Sequence, residues 1–534
     1  MKKTWVKIIA FLLQAVLLMS LFGCSDPAQP DNTNPEEPEV PEFDYNFTVS
    51  YDGITKKAVP ALSSVHDPSI LQVGDKYYIY GSHMASAHSN DLISWYKMSD
   101  GYNAANPVFG QIYAEGVYEE AFKYAGSPTS LIKTDDHETG GEHVWAPDVI
   151  YNKTTGKYYM YYCTTSTWSA SNLCYGVSDT PEGPFEWKGA LIYSGFNQET
   201  IYQTNVMDVV DEVDALTTYL NAGGSYQYKE YPNAIDPSVF YDEDDRMWMV
   251  YGSWSGGIYL LELDPATGEV IHPKADPANG VDPYYGKKLL GGQHKSIEGP
   301  YILRAGGYYY LFVSYGALNR EGGYQIRVFR SETVDGNYVD MNGQTPFGGG
   351  HAAYGLKLSG NYNMPSTWFS YMATGHNSAF VDQKDGKIYV VYHTRFDNGS
   401  EQHSPRVHQM LLNAEGWLCM LPYQTGGETV SETGYETSEL VGRYYVINQG
   451  TGIDAEIARP TIFYLQTNGK VVGENVSGSW TKTDGTYHMT ITIGEDTFSG
   501  VFCRMLDEGG TEVMTFSAVG GNESLWGVKY DAAE

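Results

Sequence analysis

Three carboxylates and one histidine recur in the same local setting. Asp67-Pro68-Ser69-Ile70, Asp236-Pro237-Ser238-Val239, Glu298-Gly299-Pro300-Tyr301 and His376-Asn377-Ser378-Ala379 each open a short apolar strand. Asp148-Val149-Ile150-Tyr151 opens a fifth. Ionised carboxylates that face one another repel, so one is driven to keep a proton while another stays charged. Such a pair can supply a base for water and an acid for a leaving group, as glycosidic hydrolysis requires. A single Asp-Pro is more simply a capped turn. The catalytic reading therefore depends on these residues meeting in space.

An internal repeat supplies that meeting. Each head residue begins a short apolar strand, followed by a Gly/Asp-rich turn and an aromatic strand. The aromatic strands are Lys76-Tyr-Tyr-Ile-Tyr-Gly-Ser, Lys157-Tyr-Tyr-Met-Tyr-Tyr-Cys, Arg246-Met-Trp-Met-Val-Tyr-Gly-Ser, Tyr308-Tyr-Tyr-Leu-Phe-Val-Ser and Lys387-Ile-Tyr-Val-Val-Tyr-His. The heads Asp67, Asp148, Asp236, Glu298 and His376 are spaced 81, 88, 62 and 78 residues apart. Their apolar runs are nearly continuous, as expected of sheets covered on both faces. Five such units of about four strands predict a five-bladed β-propeller. The first strand of each blade lines the central channel, so the five heads converge at one end of it.

The predicted organisation is all-β. Residues 1–24 read as a signal segment, 25–45 as a Pro/Glu-rich tether, 46–428 as the propeller and 429–534 as a small C-terminal β-barrel or β-sandwich. That last region holds short strands separated by glycine turns, as at Asn468-Gly469 and Asp484-Gly485. Two long insertions, 100–143 and 199–232, precede the second and third heads. Loops of such length are usually functional, and they are expected to rim the channel mouth.

Composition agrees with this reading and excludes other classes. Of the 534 residues, 59 are Gly, 46 Tyr and 11 Trp, and only 18% are charged. That favours strands over helices and provides rings suited to stacking on sugars. The net charge of −32 opposes nucleic acid and polyanionic polymers. A neutral polysaccharide meets no such opposition.

The N-terminus carries Lys2, Lys3 and Lys7, then the apolar stretch Ile8 to Phe22, short for a membrane span. Leu21-Phe22-Gly23-Cys24 resembles the bacterial lipobox. The resemblance implies cleavage before Cys24, acylation of its thiol, and anchoring in the cell envelope, at the outer-membrane surface or in the periplasm. The remaining cysteines, Cys163, Cys174, Cys419 and Cys503, match no zinc spacing. Cys163 and Cys174 lie on neighbouring strands, where a disulfide and two buried thiols are both open.

His66-Asp67-Pro68-Ser69-Ile70, Ala234-Ile235-Asp236-Pro237 and Ile297-Glu298-Gly299-Pro300-Tyr301-Ile302 resemble the three catalytic motifs of glycoside hydrolase family 43. Trp145-Ala146-Pro147-Asp148 and Gly375-His376-Asn377-Ser378 resemble its arabinanase branch. The resemblance covers most of 60–425 in motif order. It implies inversion at the anomeric carbon and arabinan or a related hemicellulose as substrate. It implies that Asp67 is the general base, Glu298 the general acid and Asp236 the carboxylate that tunes and orients the acid. It further implies that His376 ligates a central, mostly water-coordinated calcium. Calcium prefers oxygen, so a channel histidine hydrogen-bonded to a carboxylate is the simpler alternative. Asp148 has no catalytic counterpart in the family.

Trp145 and Trp254 flank the heads and are candidates for stacking on sugar, with core packing an equal reading. His83 and Arg395 lie at inner-strand exits and are candidate substrate contacts. The expected activity is that of an endo-1,5-α-L-arabinanase acting as a monomer. An exo-acting α-L-arabinofuranosidase or β-xylosidase of the same family is the alternative enzyme. A non-catalytic glycan-binding lipoprotein is the alternative of another class.

Overall fold

The computed structural model describes residues 45–58, 63–101, 104–126, 143–166, 169–348 and 350–530. The expected signal segment with Cys24, the expected tether up to Asp44, and 127–142 of the first insertion lie outside the described residues. From Tyr45 onward the chain forms one compact unit.

Five antiparallel sheets follow one another along the chain. Blade 1 is β1 (Ser69–Val73), β2 (Lys76–Gly81), β3 (Ala85–Ser89) and β4 (Tyr96–Ser99). Blade 2 is β5 (His143–Asn152), β6 (Lys157–Thr165), β7 (Ser171–Ser178) and β8 (Glu186–Ser194). Blade 3 is β9 (Ser238–Tyr241), β10 (Met247–Tyr251) and β11 (Ile258–Leu263), with β12 (Val270–Ile271), β13 (Val281–Asp282) and β14 (Gly286–Leu290) at its outer edge. Blade 4 is β15 (Ile297–Ala305), β16 (Tyr308–Tyr315), β17 (Gln325–Ser331) and β18 (Leu356–Ser359). Blade 5 is β19 (Tyr371–Val381), β20 (Ile388–Phe396), β21 (Ser404–Leu412) and β22 (Leu418–Met420). The expected five-bladed propeller is present.

Apolar layers between blades hold the ring. Tyr80, Met160 and Cys174 belong to the layer between blades 1 and 2. Tyr161, Cys163 and Met249 belong to the one between blades 2 and 3. Each face of a blade is therefore buried, which accounts for the unalternating strands. The same geometry separates the two cysteines. Tyr162 pairs with Cys174, and Cys163 with Leu173. The one-residue offset sends their side chains to opposite faces, and both are free buried thiols.

Blade 5 meets blade 1 without exchanging a strand. Val65, Ile79, Val391 and Val407 share one apolar cluster. Ser378 Oγ donates to Pro68 O at 2.7 Å, and Gln72 Nε2 to Asp382 Oδ1 at 2.9 Å. The insertions are packed as well as peripheral. Phe109, Ile112 and Phe122 fill the layer between blades 1 and 2, while Ile201, Val206, Tyr219 and Tyr226 join that between blades 2 and 3.

The last eight strands close into a barrel. They are β23 (Gly442–Asn448), β24 (Thr461–Leu465), β25 (Lys470–Gly473), β26 (Ser477–Lys482), β27 (His488–Ile493), β28 (Asp496–Leu506), β29 (Glu512–Gly520) and β30 (Glu523–Lys529), with β30 pairing β23. Closure removes the sheet edges.

Candidate active site

One backbone feature marks the channel end of every blade. Asp67, Ala146, Asp236, Gly299 and His376 have φ of 53°, 42°, 55°, 58° and 45°. Four of them precede a proline, where extended backbone is the norm. Left-handed residues there are strained and persist because their surroundings fix them. This feature corrects the register read from the sequence. Asp148 is not the counterpart of Asp67 and Asp236; Ala146 is. Glu298 stands one residue before its blade's head, Gly299.

Four of the five head N–H groups are satisfied by a shared device. The residue two positions past the pairing level on four of the second strands receives the next blade's head. Ala146 N donates to Ser82 Oγ at 2.9 Å, His376 N to Ser314 Oγ at 2.7 Å, and Asp67 N to His393 Nδ1 at 3.2 Å. Asp236 N donates to the Cys163 thiol. Blade 3 has Gly252 at that position and offers no side chain. There the Gly299 N–H donates to Asp236 Oδ2 at 3.2 Å instead.

Asp67 is 8% exposed and surrounded by donors. His66 Nδ1 lies 2.8 Å from Oδ2, His376 Nδ1 lies 3.0 Å from Oδ1, and Ser82 Oγ donates to Oδ2 at 2.5 Å. Burial pushes this carboxyl up, but the His376 and His66 imidazoles outweigh it and hold it well below the usual carboxylate range. Burial pushes His376 down, and the Asp67 charge overrides it, raising His376 to about 9. The two form an ion pair at neutral pH. Behind it the His66 ring stacks on His393 at 4.1 Å and meets His403 at 4.6 Å. Burial holds His393 well below its ordinary value and His403 at about 3, so both are neutral.

Glu298 is half-buried and takes three hydrogen bonds. Trp254 Nε1 and Ser253 Oγ donate to Oε2 at 2.8 and 3.1 Å, and the Tyr324 hydroxyl donates to Oε1 at 2.7 Å. Asp236 is 6% exposed. Burial, opposed by the His376 charge and aided by those of Glu298 and Asp67, pushes Asp236 up to about 7. The centre therefore joins a carboxylate held ionised to a carboxyl that keeps a proton up to neutral pH.

The other candidates take distinct places. Trp254 spends its indole N–H on Glu298. Trp145 is half-buried beside its blade's head and packs on the layer between blades 2 and 3. His83 follows Ser82 on a short turn with φ 61° and is an exposed residue. Arg395 is 5% exposed, pairs with Glu401 at 2.8 Å, and lies beside the His393 ring. Asp148 lies one layer below the heads, where Ser69 Oγ donates to it; burial pushes it up to about 6 despite that bond.

Between these layers is a cavity of about 20 Å³, lined by Asp67, Asp236, Asp148, Ser238 and Asn377 among others. Asn377 is 3% exposed, yet its side-chain Oδ1 and Nδ2 lack protein partners. Buried polar groups of this kind call for a water or an ion. The oxygen-rich donor set suits a hard cation such as calcium.

His66, Ser82, Ser253, His393 and Tyr324 complete the site and were not singled out as site residues from sequence. The ends of the aromatic strands carried a usable signal, since Ser82, Cys163, Ser314 and His393 occupy one repeat position. Tyr324 carried none, being one of 46 tyrosines.

Comparison with known proteins agrees with this geometry. Residues 211–418 match the Glycosyl hydrolases family 43 pattern, and 422–527 match that of a C-terminal lipocalin-like domain. Extracellular endo-α-(1→5)-L-arabinanase 2 of Bacillus subtilis is 37% identical over 503 residues, which is 90% of this chain and 96% of that protein. The extracellular endo-α-(1→5)-L-arabinanase of Thermotoga petrophila is 36% identical over 485 residues, 88% of this chain and 94% of its own length. A family 43 glycoside hydrolase structure from Bacillus licheniformis superposes with a TM-score of 0.75 at 36% identity, covering 89% of this chain and all (100%) of that one. The endo-1,5-α-L-arabinanase structure from Thermotoga petrophila gives 0.73 at 34% identity, covering 90% and 100%.

Proposed function

The chain belongs to glycosyl hydrolases family 43, and on that premise we propose that it cleaves internal α-1,5-L-arabinofuranosidic bonds of arabinan with inversion. The observation that carries the reading is the split in protonation around one channel mouth: Asp67 is held ionised while Asp236, beside the Glu298 segment, keeps a proton. The relatives named above supply the substrate class.

Asp67 is the general base. Its charge is fixed by His376 and His66, so it is ready to take a proton from a water attacking the anomeric carbon. Glu298, the more accessible of the other two carboxyls, protonates the leaving oxygen. Asp236 contributes a proton-bearing carboxyl beside the acid and a hydrogen-bonded hold on Gly299. Tyr324, Trp254 and Ser253 fix the acid's two oxygens, which limits the motion needed during transfer.

Calcium would fit the axial cavity, where the oxygens of Asp67, Asp236 and Asn377 would hold it, with His376 joining them only as the neutral imidazole, its proton displaced by the ion. When bound it supplies positive charge that keeps neighbouring carboxylates ionised. We further propose export, acylation at Cys24 and action as an envelope-bound monomer. The extracellular labels of the relatives and the 25–45 tether support export.

Incubation with linear arabinan, branched arabinan and xylan tests the substrate. Linear arabinan should shorten through a series of oligomers; release of monosaccharide alone would mean exo attack. Glu298→Gln and Asp67→Asn should each lower the rate by about a hundredfold to ten-thousandfold with the fold intact. Full activity in either would refute the assignment.

A further inference from the structure

The barrel reaches into the propeller through residues 449–460, which connect β23 to β24. Ile453 packs against the apolar cluster of blades 3 and 4. Gln325 Nε2 and Lys357 Nζ, both from blade 4, donate to Gly452 O at 2.9 and 3.1 Å. Arg327, fully buried at 0% exposure, donates to Thr451 O. Ala458 N donates to Asn361 O at 2.9 Å, and Asn363 N returns a bond to Ala458 O at 3.0 Å. The connection is thus pinned along its length by buried polar side chains and backbone bonds.

At its midpoint, Asp454, it meets the residue next to Tyr324. Gly323 has φ +70°, and a side chain there would lie 2.7–2.9 Å from the backbone O, C and N of Asp454. Tyr324 itself is 1% exposed. Its ring stacks on His393 at 5.9 Å with 17° between planes, and a methyl at Gly375 would lie 2.3 Å from it. Blade 5 therefore closes one side of this tyrosine, and Asp454 closes the backbone just before it. What emerges into the site is the hydroxyl, 2.7 Å from Glu298 Oε1.

We propose that the 449–460 connection is a positioning strut for the acid: by seating Gly323 on Asp454 it sets the Tyr324 hydroxyl on Glu298. The inference rests on Glu298 being the acid of the proposed reaction. It makes the barrel a working part of the site rather than an appended sugar-binding module. The barrel interior supports this, being filled by side chains such as Phe463, Phe502 and Phe516.

The test is a double-mutant cycle in the full-length protein using Gly323→Ala and Tyr324→Phe, with kcat and KM measured on linear arabinan. Each single change should lower kcat about tenfold with little change in KM. The double variant should be no slower than Tyr324→Phe alone, because the strut then has no hydroxyl to place. Additive losses, or a Gly323→Ala protein with a lower Tm but unchanged kcat, would overturn the proposal. If Gly323→Ala does not fold, Ile453→Ala replaces it in the same cycle. A crystal structure of the strut variant gives a readout independent of substrate. Displacement of the Tyr324 hydroxyl from Glu298 supports the strut, and an unmoved hydroxyl overturns it. Failure of the wild type to cleave linear arabinan would instead count against the proposed function.

Discussion

The backbone N–H of Gly299 donates to Asp236 Oδ2 at 3.2 Å, so the third carboxylate is bonded to the chain segment that carries the acid. The bond exists because Gly252 supplies no side chain where the other second strands do. Asp236 thus has a structural task beside its titration, and the two can be separated.

Asp236→Asn retains an oxygen for the Gly299 N–H while removing the titratable proton. It should keep the fold and lose activity by about a hundredfold or more. Asp236→Ala also strands a buried donor, at a further cost of about 1–3 kcal/mol. Urea titration of the two variants beside their activities checks the separation. Equal stability in both would mean the bond contributes nothing.

Stability should fall with rising pH in two stages when metal is removed by a chelator. Burial raises Asp236 from 3.8 to about 7, with the Glu298 and Asp67 charges adding to it against His376. Its contribution is present below pH 3.8 and lost as pH climbs through 7. His376 is raised from 6.5 to about 9 by Asp67 against burial. Its contribution is complete below 6.5 and lost as pH rises through 9. Asp67 is depressed, so its share persists above 3.8 and is lost only in strong acid. Thermal melts of Asp236→Asn should lose the stage between pH 4 and 7 and keep the later one.

Trp254→Phe preserves an aromatic ring and deletes the donor to Glu298 Oε2. A kcat lower by about tenfold with KM nearly unchanged is expected. A rise in KM alone would assign Trp254 to substrate stacking.

Calcium should stabilise the protein by about 2.7 kcal/mol when present at a hundred times its Kd. Asn377→Leu removes a partnerless oxygen from the axial cavity and should abolish most of that increment. Melts with and without chelator measure it; an unchanged increment would place any metal elsewhere.

The blades were legible because sheets covered on both faces leave continuous apolar strands between polar turns. The convergence of Asp67, Asp236, Glu298 and His376 followed from the repeat. The register within it did not, since Asp148 and Ala146 differ by two residues and only the left-handed φ separates them. The proline after each of four heads held that information, unread. Tyr324 was invisible for another reason: it acts from the residue just before the third strand of its blade, with no charge or spacing to distinguish it. Its function is created by Asp454, 130 residues further along the chain.

The His393 ring that accepts the Asp67 N–H also spans the junction of the last blade with the first. Among the described residues no strand crosses there, so side chains and one apolar cluster form a seam, and the catalytic base stands on it. Local opening takes place where cooperative backbone pairing is weakest. Warming should therefore unfasten the base while every blade is still intact. Enzymatic inactivation should precede the loss of β-sheet circular dichroism, and cooling from that intermediate temperature should restore the rate without refolding.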